Sequence, residues 1–208
     1  MHKAVVEAIG TFFLVLVIGL TVIAPGAGAM APLAIGLALM AMVYAGGPIS
    51  GGHYNPAVTL AVWLRGSCTR SDALTYMAAQ ALGAILAAAV VGICRPGAGL
   101  IAMEPRAFPA LLIETLFTFM LAFVVLSTGT SKKAANNSYF GLAIGLTVTA
   151  AAYAGGPISG GAFNPAVAIG ITLMGLSTLR NLWIFLVANF AGGALAACAF
   201  RWLNPDEY

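Results

Sequence analysis

One sixteen-residue stretch occurs twice: Val43 to Val58 reads VYAGGPISGGHYNPAV, and Ala152 to Val167 reads AYAGGPISGGAFNPAV. The copies differ only at their first, eleventh and twelfth places. Asn is among the strongest N-cap residues, because its side-chain oxygen accepts the unpaired amides of a first helical turn, and Pro is favoured at the position that follows. Each copy therefore predicts a Gly-rich loop that opens a helix. The two helices are short and apolar, Ala57 to Leu64 before Arg65-Gly66 and Ala166 to Met174 before Gly175. At about 1.5 Å per residue each spans roughly half of a hydrocarbon layer about 30 Å thick.

Composition decides whether a membrane is present at all, and here it supplies one. Of 208 residues 61% are hydrophobic and 7% charged, against about 25% charged in soluble domains; the mean hydropathy is +0.99. Six segments are long and apolar enough to cross: roughly Ala4–Ile23, Pro32–Ala45, Ala73–Ile93, Phe108–Thr128, Asn137–Ala154 and Leu179–Trp202. Lys3, the first apolar run and Gly26-Ala27-Gly28-Ala29 have the pattern of a cleavable secretory signal. An internal echo argues for retention: Glu7-Ala-Ile-Gly-Thr11-Phe12 is matched by Glu114-Thr-Leu-Phe-Thr118-Phe119.

The echo continues along the chain. Leu33-Ala-Ile-Gly-Leu37 pairs with Leu142-Ala-Ile-Gly-Leu146, and Ala79-Gln-Ala-Leu-Gly83 with Ala188-Asn-Phe-Ala-Gly192. Each half, approximately 1–98 and 107–208 of a single domain, thus holds three crossings and one half-helix. Three is odd, so the second half enters the membrane from the opposite side and the repeats are inverted. The expected fold is an all-α integral membrane protein, six transmembrane helices plus two re-entrant half-helices that meet N-terminus to N-terminus near the midplane.

With both termini cytoplasmic, Lys3, Arg65, Arg70, Lys132, Lys133 and Arg201 lie inside and Arg95, Arg106 and Arg180 outside, which satisfies the positive-inside rule. A multi-pass plasma (inner) membrane location follows. The net charge of +3 is scattered, so no nucleic-acid surface is present. Trp63, Trp183 and Trp202 are read as interface anchors. Gly83 with Ala87 and Gly192 with Ala196 allow helices to approach closely within one subunit. Cys68, Cys94 and Cys198 form no CxxC and are read as free thiols, without metal or catalysis. The loop from Cys94 to Pro109 is expected to drape over the pore mouth.

Non-helical backbone inside a bilayer must be buried in protein or line a wet cavity. Gly51, Gly52, His53 and Tyr54, with Gly160, Gly161, Ala162 and Phe163, would then offer carbonyl oxygens along a narrow path. Asn55 and Asn164 each spend the side-chain oxygen on the helix start and keep the NH₂ to donate inward. Two helix N-termini bring about half a positive charge each to the centre, which opposes cations. A water that accepts from both Asn residues cannot also accept a proton from its neighbour, so neutral solutes pass and ions do not.

These features, the doubled ISGG-x-[FY]-NPA with six helices and paired Glu residues, resemble the major intrinsic protein family of aquaporins and glycerol facilitators over essentially the whole chain. The resemblance implies a passive channel for water or small uncharged solutes. It carries over a pore centre at Asn55, Pro56, Ala57 and Asn164, Pro165, Ala166, loop-bracing carboxyls at Glu7 and Glu114, a homotetramer among membrane lipids, no cofactor and no metal. His53 matches the family's loop histidine, where bracing and pH gating are the two readings. The departure is three residues after Asn164: the family usually has Arg, and this chain has Val167. With Ile35, Ala152 and Gly161 as companion positions, the constriction is expected to be wide and apolar. Hydrogen peroxide, ammonia, glycerol-like polyols, urea and neutral metalloid hydroxides all become candidates beside water. Ala168 also departs from the facilitator pattern, which commonly has an acid there.

Two other classes fit the same architecture. A coupled secondary transporter would use Glu7 or Glu114 as a proton site, and a membrane structural protein would retain a residual pore. An enzyme is the least expected class, because the sequence has no nucleophile–base set, metal-ligand spacing or phosphate loop.

Overall fold

In the computed structural model, which describes residues 2–97 and 100–207, the chain is built from eight helices among the described residues. Six are long and apolar enough to cross a membrane: α1 (His2–Val22), α2 (Ala31–Ser50), α4 (Arg70–Cys94), α5 (Ala107–Val125), α6 (Phe140–Ser159) and α8 (Leu182–Leu203). The other two, α3 (Pro56–Arg65) and α7 (Pro165–Leu173), are the half-helices of the repeated stretch.

The Gly-Gly-Pro-Ile-Ser segments, expected to be loop, are the last turns of α2 and α6, with Pro48 and Pro157 inside the helices. Their glycines answer to close contact rather than to flexibility. A Cβ on Gly46 would stand 1.9 Å from the Tyr54 hydroxyl oxygen, and one on Gly155 would stand 2.9 Å from the Phe163 ring. Each helix ends only at the next glycine, Gly51 or Gly160, at φ 95° and 96°. Their amides bond back to Gly47 O and Gly156 O at 2.9 Å. The true loops are therefore Gly51–Tyr54 and Gly160–Phe163.

Helix α1 packs on α4 where a Cβ on Gly83 would come within 2.4 Å of Ala8 O, and α5 packs on α8 where one on Gly192 would come within 2.5 Å of Thr115 O. The two crossings are the same contact in the two halves. Between them α2 and α6 cross with Gly36 against Gly145 O and Gly145 against Gly36 O, the reciprocity an internal two-fold axis demands. Side chains at these three places would separate the helices, because interiors have no spare volume for a methyl group.

Six crossings bring the two ends of the chain to one face, called here the terminal face. There Arg65, the last residue of α3, lies on the face expected of it but is buried. Its Nη2 donates to Glu207 Oε2 at 2.6 Å and its Nε to Thr130 Oγ1 at 3.0 Å, and its guanidinium lies 5.3 Å from the centre of the Phe200 ring. Ser131 Oγ and the Lys132 amide also donate to Glu207. The Ser131 hydroxyl first, then the amides of Lys132 and Lys133 and the Arg65 charge, hold the Glu207 carboxyl below the usual carboxylate range. A lowered pKa stabilises the fold above the ordinary value, and that contribution is lost as pH falls through the lowered one. Glu207→Gln is thus expected to lower the thermal midpoint in detergent at pH 7. The gap to the unmodified protein should close only below about pH 4, as a melting series across pH would read.

Candidate pore and filter

Each half-helix starts as its Asn dictates. Asn55 Oδ1 accepts from the amides of Ala57 and Val58 at 2.8 and 3.4 Å, and Asn164 Oδ1 from those of Ala166 and Val167 at 2.9 and 3.4 Å. The amide nitrogens, expected to be free to donate inward, are each partly engaged. Asn55 Nδ2 donates to Phe163 O at 2.9 Å, and Asn164 Nδ2 donates to Tyr54 O at 2.8 Å. These reciprocal bonds stitch the two halves together at the centre and leave one hydrogen on each amide for a passing molecule.

The accepting carbonyls are placed by an unusual backbone. Tyr54 and Phe163 both adopt φ 48°, a left-handed conformation that costs a bulky residue about 1–3 kcal/mol. A hydrogen bond to a carboxylate contributes about 1.5–3 kcal/mol, enough to offset it, and each residue has one: Tyr54 N to Glu7 Oε2 and Phe163 N to Glu114 Oε2, both 2.7 Å. Glu7 further accepts from Ser50 Oγ, His53 N and Gln80 Nε2, and Glu114 from Ser159 Oγ, Ala162 N and Asn189 Nδ2. Both carboxyls are fully buried, and each of these eight contacts is a donor.

Ser50, Ser159, Gln80 and Asn189 carry no motif that marks them as functional from sequence alone. The internal repeat holds a signal for the last two, since it superposes Gln80 on Asn189, two amides in apolar helices. Nothing in the sequence marks Tyr54 and Phe163 as left-handed.

The halves are not identical. In the first, His53 Nδ1 lies 3.1 Å from Thr59 Oγ1, which also accepts from Gln80 Nε2 at 3.0 Å. The second half has Ala162 for His53 and Ala168 for Thr59, and Asn189 Oδ1 is left buried without a partner among the described residues. Ala168→Thr is expected to supply that partner and raise stability by about 1 kcal/mol, read as a higher melting temperature.

A continuous cavity of about 790 Å³ runs past the centre towards the face opposite the termini. Asn55, Asn164, His53, Tyr54, Gly160, Ala162 and Phe163 line it, and so do all four expected constriction residues, Ile35, Ala152, Gly161 and Val167. Gly51, Gly52, Pro56, Ala57, Pro165 and Ala166 do not. Symmetric aliphatic pairs complete the wall: Leu14 with Leu121, Ile35 with Ile144, and Val58 with Val167. At the mouth Leu100, Ile101 and Met103 of the 94–109 loop line the cavity; Ala98 and Gly99 of that loop fall outside the described residues. Met103 N is tied to Leu176 O at 2.9 Å.

Known proteins resemble this chain over nearly its whole length. The family model described as major intrinsic protein matches residues 1–200. The chain belongs to the major intrinsic protein family. It is 37% identical to the glycerol uptake facilitator protein-like 6 of Lactiplantibacillus plantarum over the whole of both chains. It is 34% identical to aquaporin Z of Bradyrhizobium diazoefficiens, over 99% of this chain and 95% of that one. An aquaglyceroporin structure from Plasmodium falciparum shares the fold with a TM-score of 0.77 at 21% identity, covering 94% of this chain and 93% of that one. Membership of this family carries the class of activity, passive conduction of water and small solutes across a membrane. It is a family of channels rather than of enzymes.

Proposed function

We propose that this chain is a single-domain channel whose centre at Asn55 and Asn164 orients uncharged permeants one at a time, and whose filter at Ile35, Ala152, Gly161 and Val167 admits solutes wider than water. The observation that carries the reading is Val167, an aliphatic side chain on the cavity wall three residues after Asn164. No guanidinium projects from that position to narrow the path or repel cations. Water, hydrogen peroxide, ammonia, polyols, urea and neutral metalloid hydroxides form the candidate set, and the full-length likeness to a protein named as a glycerol uptake facilitator supports polyols within it. Glu7 and Glu114 brace the loops, since their oxygens are occupied by donors of the loops themselves. His53, bonded through its backbone to Glu7 and adjacent through its ring to Thr59, braces too.

The proposal extends to a plasma-membrane homotetramer, which rests on family resemblance alone, and to cytoplasmic termini, supported by the six-to-three distribution of basic residues between the faces. Proteoliposomes challenged with a panel of osmolytes, with proton and cation leak recorded alongside, test the function. Downhill flux independent of ions is the expected result. Flux that requires a proton gradient would instead make the protein a coupled transporter, and absence of flux for every solute would leave only a structural role.

A further inference from the structure

Helix α4 carries a cation at its far end that the pore does not use. Its 25 residues rise about 37 Å, more than a hydrocarbon layer about 30 Å thick, so its C-cap Arg95 reaches headgroup level on the face opposite the termini. Arg95 lines a second cavity of about 220 Å³, walled by Ile23, Ala88, Val91, Leu173 and Met174. The guanidinium is short of partners. Its Nη2 donates to Leu20 O over a long 3.4 Å, its Nε is buried without a partner among the described residues, and no described hydrogen bond uses its Nη1. The two ion pairs among the described residues, Arg65–Glu207 and Lys133–Asp206, lie on the terminal face. Glu104, in the loop that follows Arg95, accepts from Asn181 instead. Gly92, also on the cavity wall, is exposed, and a Cβ there would meet nothing within 4 Å. Packing does not ask for this glycine, which weakens a helix relative to Ala; its effect is to leave the cavity open towards the lipid.

We propose that this cavity seats one anionic phospholipid, with its phosphate on Arg95 and the upper part of an acyl chain laid across Gly92 against the aliphatic wall. A guanidinium offers phosphate oxygens a planar fork of donors. A net negative headgroup is required because no carboxylate balances Arg95, and a zwitterionic lipid would bring a second cation to the same place. Leu100 lines both this cavity and the pore mouth, so the seated lipid abuts the loop that borders the permeant path.

The test is lipid titration of the detergent-purified protein followed by native mass spectrometry, with phosphatidylglycerol and phosphatidylcholine of the same acyl chains. Phosphatidylglycerol should bind severalfold more tightly. Arg95→Gln should weaken it by roughly tenfold, the scale of one charge-assisted hydrogen bond. Gly92→Leu, which keeps the charge and fills the opening, should weaken both lipids severalfold, whereas Arg180→Gln, which removes an exposed cation of the same face, should weaken neither. Equal affinity of the unmodified protein for the two lipids would overturn the proposal, as would undiminished phosphatidylglycerol binding in Arg95→Gln or in Gly92→Leu. An equal loss in Arg180→Gln would reduce the effect to general surface charge and overturn it too. Inorganic phosphate that displaces phosphatidylglycerol at matched concentration would make this a site for free anions and refute a lipid site. Should Arg95→Gln fail to fold, Gly92→Leu decides alone.

Discussion

Val167→Arg is expected to turn a permissive channel into a water-selective one, with permeability to glycerol-sized solutes reduced by roughly tenfold or more and water conduction retained. Val167 is 3% exposed and stands on the cavity wall with Ile35, Ala152 and Gly161. A guanidinium there would fill part of the cavity beside these residues, and its donors would replace those lost by a dehydrating water. About 1.4 kcal/mol of added barrier suffices for a tenfold loss, less than the cost of stripping one poorly matched polar group. Its charge would also add a second obstacle to cations beyond the half-helix N-termini, so any proton or cation leak of the unmodified protein should fall. Val167→Leu separates the contributions: a purely steric filter predicts that Leu and Arg exclude large solutes equally, but only Arg lowers the leak. Relative permeabilities unchanged across the osmolyte panel in Val167→Arg would show that this position does not set selectivity.

That experiment bears on a residue the sequence exposes by comparison with its own first half. Val58 and Val167 occupy equivalent places in the repeat, and the structure puts both on the cavity wall. The six crossings, the two half-helices and their Asn caps were legible for the same reason: apolar length and capping chemistry are local properties. What escaped the sequence depends on contacts between distant segments. Gly46 and Gly155 read as loop residues because glycine is a turn signal, yet they are small to admit an aromatic side chain from their own repeat. The side of Arg65 was legible but its burial was not, because its partner, Glu207, is 142 positions away. The left-handed turns at Tyr54 and Phe163 were invisible because neither residue type favours that conformation. They exist because buried carboxyls from other helices hold them.

Those carboxyls carry the second large effect. Glu7→Ala is expected to leave little folded protein, and Glu114→Ala likewise. Each removal strands four donors in a dry interior: for Glu7 these are Ser50 Oγ, the amides of His53 and Tyr54, and Gln80 Nε2. At about 1–3 kcal/mol for each unsatisfied group the cost is roughly 4–12 kcal/mol, comparable with the whole net stability of about 5–15 kcal/mol for a typical domain. The Gln variants are more informative because they preserve shape. One acceptor oxygen remains, while the new NH₂ confronts donors, and Gln80 can turn its own oxygen towards it whereas the Tyr54 amide cannot turn. Glu7→Gln should therefore fold with a lowered melting temperature, and conduct less because Tyr54 O, which anchors Asn164, is no longer held. Its remaining flux should stay independent of a proton gradient. A proton-coupled transporter predicts the opposite pattern for one of the two Gln variants, a normal melting temperature with loss of gradient dependence. Melting curves and proteoliposome flux with and without a pH gradient, measured on Glu7→Gln and Glu114→Gln together, decide between a brace and a proton site.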